Sequence, residues 1–428
     1  MSDVILEGEG LAQRRAALDV LIAALDHRGG LDEALARPAF HKLEPRERAF
    51  ARALAMAALR RLGQIDAALD GKLHKPPPDA VRAILRLGAA QLFFMGAPDF
   101  AVVNTSVALA SERKDTLPFK GLINAVLRGL ARDGAPAEDP QALAPDWLFA
   151  RWRAAYGEAA ASAIAAQIPN EPPTDLSLIN PADAEALSEA LKAEVLPGGS
   201  LRSSLKGDIA EWPSFEEGRW WVQDAAAAVP ARLLAVKPGE TALDLCSAPG
   251  GKTLQLAAAG AKVTAVDRSA ARQGRTADNL KRTGLVAELV TAEGARWEDE
   301  RTFDAVLVDA PCSATGTFRR NPDVLWAARP GDIAKLAEVQ ARLLDSAAKR
   351  VKPGGRMVYC VCSLEGEEGE GQVGPFLGRN ADFRVDSVQP GEGGAPQGSV
   401  TSDGLVRILP HQLEVGVDGF FAVRFVRA

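Results

Sequence analysis

Residues 241–253 read TALDLCSAPGGKT, and no other stretch constrains the fold as tightly. A short apolar run ends at Asp244-Leu245, breaks at Pro249-Gly250-Gly251 and resumes with the helical pattern Leu254-Gln255-Leu256-Ala257. Strand, glycine turn and helix in that order open a nucleotide-binding α/β unit. The glycines let a ligand approach the backbone with no Cβ in the way. The helix that follows points unpaired N–H groups at that ligand. A phosphate-binding P-loop needs Gly five residues before Gly251; Cys246 stands there, so Gly251-Lys252-Thr253 is a partial match. The dinucleotide fingerprint G-x-G-x-x-G is absent. A second acid, Asp267, closes the next apolar run at 262–266, where it suits a ribose diol. A ribose without a phosphate cradle suggests S-adenosylmethionine; the spacing alone leaves a structural loop or another nucleotide open.

A chain of 428 residues is expected to form two or three domains. Its apolar fraction of 47% and charged fraction of 25% are those of a soluble globular protein. The four cysteines, Cys246, Cys312, Cys360 and Cys362, lack zinc-finger spacing and lie far in sequence from the histidines, so no metal is expected. Asp3, Glu7 and Glu9 stand where a signal peptide needs basic residues, and no apolar run reaches membrane-spanning length. A cytoplasmic protein with reduced thiols, away from membranes, is the expectation. The net charge of −6 weighs against nucleic acid. Residues 1–135, however, hold 19 basic and 16 acidic side chains, so a local basic face is compatible with RNA.

Residues 11–133 read as all-helical, with apolar residues at helical spacing over 11–26 (stopping at Gly29-Gly30), 45–62, 78–95, 102–110 and 119–131. Arg46, Arg48, Arg52, Arg60 and Arg61 form either a solvated helix face or a set of phosphate contacts. Residues 135–145 are a Pro/Ala/Asp-rich linker, and 147–167 is again helical. A small α/β connecting piece follows, with strands expected at 176–180 and 220–222 and a helix at 182–191. From 236 onward, strands at 241–245, 262–266, 287–291, 305–308 and 356–360 alternate with helices such as 270–282 and 333–351. That pattern predicts a doubly wound, mostly parallel sheet. A late antiparallel strand at 420–425 follows the turn Asp418-Gly419, and the Gly/Pro-rich 390–398 reads as a flexible loop. The resulting partition is 1–135, 136–146, 147–235 and 236–428.

The buried run Val306-Leu307-Val308 delivers Asp309-Ala310-Pro311-Cys312 at its carboxyl end, where ligands sit in an open α/β sheet. A capping Asp and an inert buried Cys would give the same pattern. Cys360 and Cys362 share one strand face, and Cys362 falls at the strand end beside the expected position of Cys312. A thiol is needed when the methyl acceptor is carbon 5 of a pyrimidine, too weak a nucleophile unaided. A thiolate adding to carbon 6 makes carbon 5 enamine-like; the carbon 5 proton is then lost and the thiol eliminated. A neighbouring acid can meet the charge that develops on the ring, and the base must leave its stack to be reached.

These motifs resemble the Sun (Fmu, or Nop-type) RNA cytosine-5 methyltransferases, in the bacterial small-subunit ribosomal RNA form with a NusB-like N-terminal domain. The resemblance spans nearly the whole chain. It rests on residues 122–128 (LINAVLR), 222–224 (VQD), 244–253, and Asp309-Ala310-Pro311-Cys312-Ser313 with Gly316 and Arg320-Asn321-Pro322-Asp323, together with Cys362-Ser363. It implies a Rossmann-like methyltransferase domain, an all-α NusB-like RNA-binding domain, S-adenosyl-L-methionine as cofactor and ribosomal RNA as partner; a monomer is expected. By resemblance, Cys246, Ser247, Ala248, Pro249, Gly250, Gly251 and Lys252 would form the donor loop. Asp267 would hold the ribose, Arg272 and Asn279 would sit in the next helix, and Glu293 would lie beside the adenine. Asp309 would bridge donor and cytosine, Cys362 would be the nucleophile, and Cys312 would assist product release.

The sequence departs from the family at Val361 (usually Thr), Gly369 (usually Asn), Glu293 (usually Asp) and in residues 177–180, which lack the usual Arg. The same reaction on transfer RNA, or a non-catalytic RNA-binding assembly factor, are the alternative readings.

Overall fold

The computed structural model describes residues 10–26 and 30–428; Asp3, Glu7, Glu9 and Gly29 lie outside them. The chain divides into two compact units, Met1–Asn170 with Phe318–Ala327, and Glu171–Thr317 with Ala328–Ala428.

The first unit is helical. Leu11–Leu25, Pro45–Arg60, Asp79–Phe94, Asp99–Ser111 and Lys120–Asp133 form where the apolar spacing predicts. Pro45 opens its helix at the first position, behind a reciprocal Glu44–Glu47 capping box in which the Glu44 N–H donates to Glu47 Oε2 at 3.2 Å. The expected helix 45–62 stops at Arg60, and a separate helix, Leu62–Asp70, continues after Arg61. Leu54, Leu59, Ile84, Leu85, Ile123 and Leu127 are buried in the shared core. Gly88 makes room for Leu127: an added Cβ would stand 2.6 Å from its methyl carbon. The helical stretch at 147–167 is broken at Gly157 (φ +84°) into Asp146–Tyr156 and Glu158–Ala165. By contacts both helices fall in this unit, although the sequence groups them with the connecting piece. The segment Phe318–Ala327 belongs here too: Phe318 stacks at 6.0 Å on Trp152, and Asp323 Oδ2 accepts from the Leu31 N–H at 2.9 Å.

The second unit holds two sheets. Strands β1 (Thr174–Leu178), β2 (Ala193–Val195), β3 (Leu201–Ser203) and β4 (Trp220–Val222) form an antiparallel sheet in the order β2-β3-β1-β4. The large sheet is built from β5 (Thr241–Leu245), β6 (Lys262–Asp267), β7 (Ala287–Thr291), β8 (Phe303–Asp309), β9 (Val351–Val361), β10 (Phe383–Val385), β11 (Val406–Ile408) and β12 (Phe420–Arg427). Its order is β10-β12-β9-β8-β5-β6-β7, with β11 also paired to β12. The run from β9 to β7 is parallel, and β12 lies antiparallel to β9, as expected. The helix expected at 333–351 is Pro330–Ala348, and Val351 already begins β9. Residues 390–398 contain a 3₁₀ turn, Glu392–Gly394, whose Glu392 pairs with Arg424.

Successive residues of the central strands enter opposite cores. Ala242, Leu307 and Val358 lie in one; Leu243, Val306 and Met357 lie in the other. Burial on both faces explains why these strands read as continuous apolar runs. The chain adds β6 and β7 on one side of β5, then returns to place β8 and β9 on the other. The crevice at the carboxyl ends of β5 and β8 is therefore the topological switch point, where an open α/β sheet takes its ligand.

Candidate active site

The strand register brings the expected site residues to one edge. Leu245 pairs with Val266 and Val308, Asp267 with Thr291, and Asp309 with Cys360. The loop after β5 turns at Cys246 (φ +62°) and Gly250 (φ +102°). It closes through Ser247 N–H to Val266 O (3.1 Å) and Gly250 N–H to Ser247 O (2.8 Å). Asp267 Oδ2 accepts from the Ala248 N–H at 3.1 Å, and its Oδ1 from the Ser269 N–H at 2.8 Å. One carboxylate thus ties the loop to the start of helix Ala270–Thr283. The Arg272 guanidinium donates to the Ala248 carbonyl on the same loop. Asn279 hydrogen-bonds Arg282 on its own helix, away from this loop. Glu293 lies just beyond β7, exposed, with Arg296 at 3.7 Å as its ion pair.

The loop fits a polar ligand. Ser247 Oγ and Thr276 Oγ1 are buried without hydrogen-bond partners. At Gly250 an added Cβ would stand 2.6 Å from the Thr276 side chain, so only glycine fits the space as well as the φ. Burial pushes the Cys246 thiol up to about 12, so it stays protonated and inert. Asp244, fully buried below the loop, accepts from Thr253 Oγ1 at 2.6 Å; burial raises its pKa to about 7.

Lys252 does not reach outward as a phosphate-binding lysine would. Its ammonium turns inward, 2.7 Å from Asp309 Oδ2. Burial would lower the Lys252 pKa, but the Asp309 charge outweighs it and the pKa lies above its ordinary value. Cys360 Sγ stands 3.5 Å from Asp309 Oδ1. Burial, then the Asp309 charge, hold its thiol well above the ordinary range, so Cys360 is no nucleophile.

Cys312 and Cys362 are brought together, Sγ to Sγ at 3.5 Å, from the loops after β8 and β9. The hydrogen bond to Cys362, then burial, push the Cys312 thiol well up; either sulfur can donate to the other. The two loops are laced by backbone: the Gly316 N–H donates to Cys362 O at 3.0 Å, and the Gly419 N–H to Gly316 O at 2.8 Å. A Cβ at Gly316 would run into the Gly419 carbonyl, which explains the glycine.

Two departures have structural accounts. A Cβ at Gly369 would collide with the Arg407 guanidinium, which donates to Glu370 (2.9 and 2.6 Å) and to the Ser363 carbonyl (2.5 Å). Arg407 thus fills the space where the family usually has a side chain. Val361 is fully buried in the core beside Phe421, an apolar place where no hydroxyl is called for. Among the arginines, Arg60 is buried and donates to Asn170 O and Arg319 O, which makes it structural rather than a phosphate contact. Arg46 and Arg52 remain exposed. The sequence had no periodic signal for the Lys252–Asp309 pair or for Arg407, because both join residues far apart in the chain.

No helix among the described residues is long and apolar enough to cross a membrane, and no described cluster of His, Cys, Asp and Glu could hold a metal ion.

A Rossmann-like sheet with a glycine loop and acid at its switch point is a nucleoside-binding frame, and the family that matches it makes it that of an S-adenosylmethionine-dependent methyltransferase. A family model described as 16S rRNA methyltransferase RsmB/F matches residues 231–426, and one for the NusB family matches residues 11–132. The chain is 39% identical over 382 residues to ribosomal RNA small subunit methyltransferase B of Thermus thermophilus, covering 87% of this chain and 90% of that one. It is 34% identical over 441 residues to the protein of that name from Xanthomonas campestris, covering 98% of both. The solved structure titled PH0851 superposes with a TM-score of 0.79 at 25% identity, over 97% of this chain and 98% of that one. A methyltransferase homolog from Pyrococcus horikoshii gives 0.57 at 25% identity, over 66% and 95%. The chain belongs to the RsmB/F family of 16S rRNA methyltransferases.

Proposed function

We propose that this protein forms 5-methylcytosine in small-subunit ribosomal RNA through a covalent bond between Cys362 and carbon 6 of the target cytosine. The observation that carries the reading is the Cys312–Cys362 pair, 3.5 Å apart, whose strands β8 and β9 also bring Asp309 to the switch point. A methyltransferase acting on an amine or hydroxyl has no use for two thiols there.

Residues 246–252, with Asp267, Arg272 and Glu293, would hold S-adenosylmethionine, which would supply the sulfonium methyl. Cys362 as thiolate forms the S–C6 bond, and the C5–C6 π pair becomes available at carbon 5. Asp309, fixed by Lys252, offers a carboxylate oxygen to the amino N–H of the cytosine, and the Lys252 cation beside it offsets the negative charge that develops on the ring. Once carbon 5 carries the methyl group, its proton passes to a base. The pair returns to C5–C6, and Cys362 leaves as thiolate. The Cys312 thiol, 3.5 Å from Cys362 Sγ, turns its S–H to that departing thiolate and stabilises it.

Bisulfite sequencing of small-subunit RNA incubated with purified protein and donor tests the reading. Cytosines that stay fully converted would refute it. Cys362→Ala abolishes turnover, whereas Cys312→Ala leaves a protein–RNA adduct that survives denaturing electrophoresis. If neither thiol matters, the covalent route is wrong.

A further inference from the structure

Glu368 lies six residues beyond the proposed nucleophile, is fully buried, and has no place in the chemistry above. Its carboxylate collects donors from both thiol-bearing loops. Oε1 accepts from the Ser313 N–H at 2.9 Å and from Gln340 Nε2 at 3.2 Å. Oε2 accepts from the Ser313 hydroxyl and from the Ser363 hydroxyl, the latter at 2.5 Å. The two hydroxyls are themselves 3.0 Å apart. Ser313 follows Cys312 and Ser363 follows Cys362, so a single carboxylate joins the residues next to the two sulfurs. Its own backbone is pinned, since the Tyr359 hydroxyl from β9 donates to Glu368 O at 2.5 Å. Gln340 extends the tie: its Nε2 also donates to the Pro311 carbonyl at 2.9 Å, just ahead of Cys312.

We propose that Glu368 is a positioning residue that sets the Cys312–Cys362 spacing, and that methyl transfer depends on that spacing. The proposal rests on the covalent reading for its catalytic half. The physical reason is the donor count. Four hydrogen bonds converge on the two oxygens of a fully buried carboxylate, where an unmet donor is costly. Without the acceptor, the Ser313 N–H and both hydroxyls must find other partners. Ser363 is fully buried and Ser313 partly so; as each turns to a new partner the tie between the two loops is lost, and with it the hold on the sulfur spacing.

Two variants separate geometry from charge. Glu368→Ala removes the acceptor. Glu368→Gln keeps an oxygen at the Oε1 position for Ser313 N–H and Gln340. Its amide NH₂ takes the Oε2 position, where both serine hydroxyls can rotate to accept. The first readout is the rate at which diamide oxidises Cys312 and Cys362 to a disulfide, read by peptide mass spectrometry. It reports sulfur spacing whatever the reaction mechanism. The second is the split of kcat from KM for RNA methylation.

Glu368→Ala is expected to slow cross-linking about tenfold or more and to lower kcat about a hundredfold with KM little changed, the effect of a displacement of about 1 Å at a reacting atom. Glu368→Gln is expected to restore cross-linking to within about twofold and most of kcat, by keeping the same hydrogen-bond geometry. Cross-linking in Glu368→Ala at the wild-type rate overturns the proposal, as does an unchanged kcat alongside slowed cross-linking. If Glu368→Ala does not fold, Glu368→Gln decides: a loss of cross-linking there overturns the geometric account. Turnover by Cys362→Ala would instead overturn the covalent reading, and the cross-linking rates would still judge Glu368.

Discussion

Lys252 Nζ stands 2.7 Å from Asp309 Oδ2 and 5.0 Å from the centre of the Phe420 ring. This pair spans the switch point, joining the helix after β5 to the tip of β8. The lysine of an apparent phosphate motif is thereby committed to orienting a carboxylate.

Replacing Lys252 with Met leaves Asp309 facing the crevice with no cation. The Asp309 side chain remains 28% exposed, so water recovers part of the loss. Stability is expected to fall by about 1–3 kcal/mol, measured by urea unfolding, the cost of stranding one partner of a partly buried pair. kcat is expected to fall about a hundredfold, because the carboxylate at the switch point is no longer held in place. Lys252→Arg should recover only part, since a planar fork does not fit a site built for a point charge.

Asp244 gives the pH dependence a direction. Burial raises its pKa in the folded state to about 7, above its ordinary 3.8. Between those values the folded chain binds the proton and the unfolded chain has released it. The stability Asp244 contributes is therefore full below about pH 4 and is lost as the pH rises through 7. In Asp244→Asn that contribution does not titrate. A comparison of Tm from pH 4.5 to 8 should show the variant gaining on the wild type as pH rises. Parallel curves would refute the assignment.

At Gly369 the family's usual Asn should harm this chain. The Arg407 guanidinium and the Phe421 ring, the latter 2.9 Å away, occupy the space that a Cβ would need. Gly369→Asn is expected to cost about 1–3 kcal/mol, the range for overpacking a filled site. The loss should shrink in an Arg407→Ala background, since the two positions share one space; a double-mutant cycle measures the coupling. Additive losses would show that the space is not shared.

Gly250→Ala tests the donor loop. The position needs φ near +102° and has Thr276 within 2.6 Å of an added Cβ. The variant is expected to weaken binding of S-adenosylhomocysteine about tenfold or more by calorimetry, the scale of about 1.4 kcal/mol of backbone strain. The Cys312–Cys362 cross-linking rate should not change, since the thiol loops are laced separately. Wild-type affinity would mean that the donor does not rest on this turn.

Much of this architecture was legible in advance. β5 has the ends that its buried apolar run predicts, and the edge strand β7, with Glu288 in it, has the ends that its flanking breaks predict. The helices of the first unit followed from their spacing. The short strands β2, β3, β10 and β11 had no such signal: each is three residues long and is held by its neighbours rather than by its own pattern. The helix break at Arg61 was hidden for a similar reason, since the apolar period continues across it. Asp309, Cys312 and Cys362 could be named as site candidates because each lies at or just beyond a strand end. Glu368 could be seen only as one member of an acidic run.

By itself, the order of residues determined the elements, the glycine turn and which side chains emerge at strand ends, because these depend on near neighbours and on periodicity. Only the tertiary structure decided that Lys252 turns to Asp309, that Arg60 is buried among carbonyls, that Arg407 takes the space at Gly369, and that one carboxylate joins two thiol loops. Those choices depend on which groups, dozens of positions apart or more, compete for the same few ångströms of dry space, and local pattern carries no information about that competition.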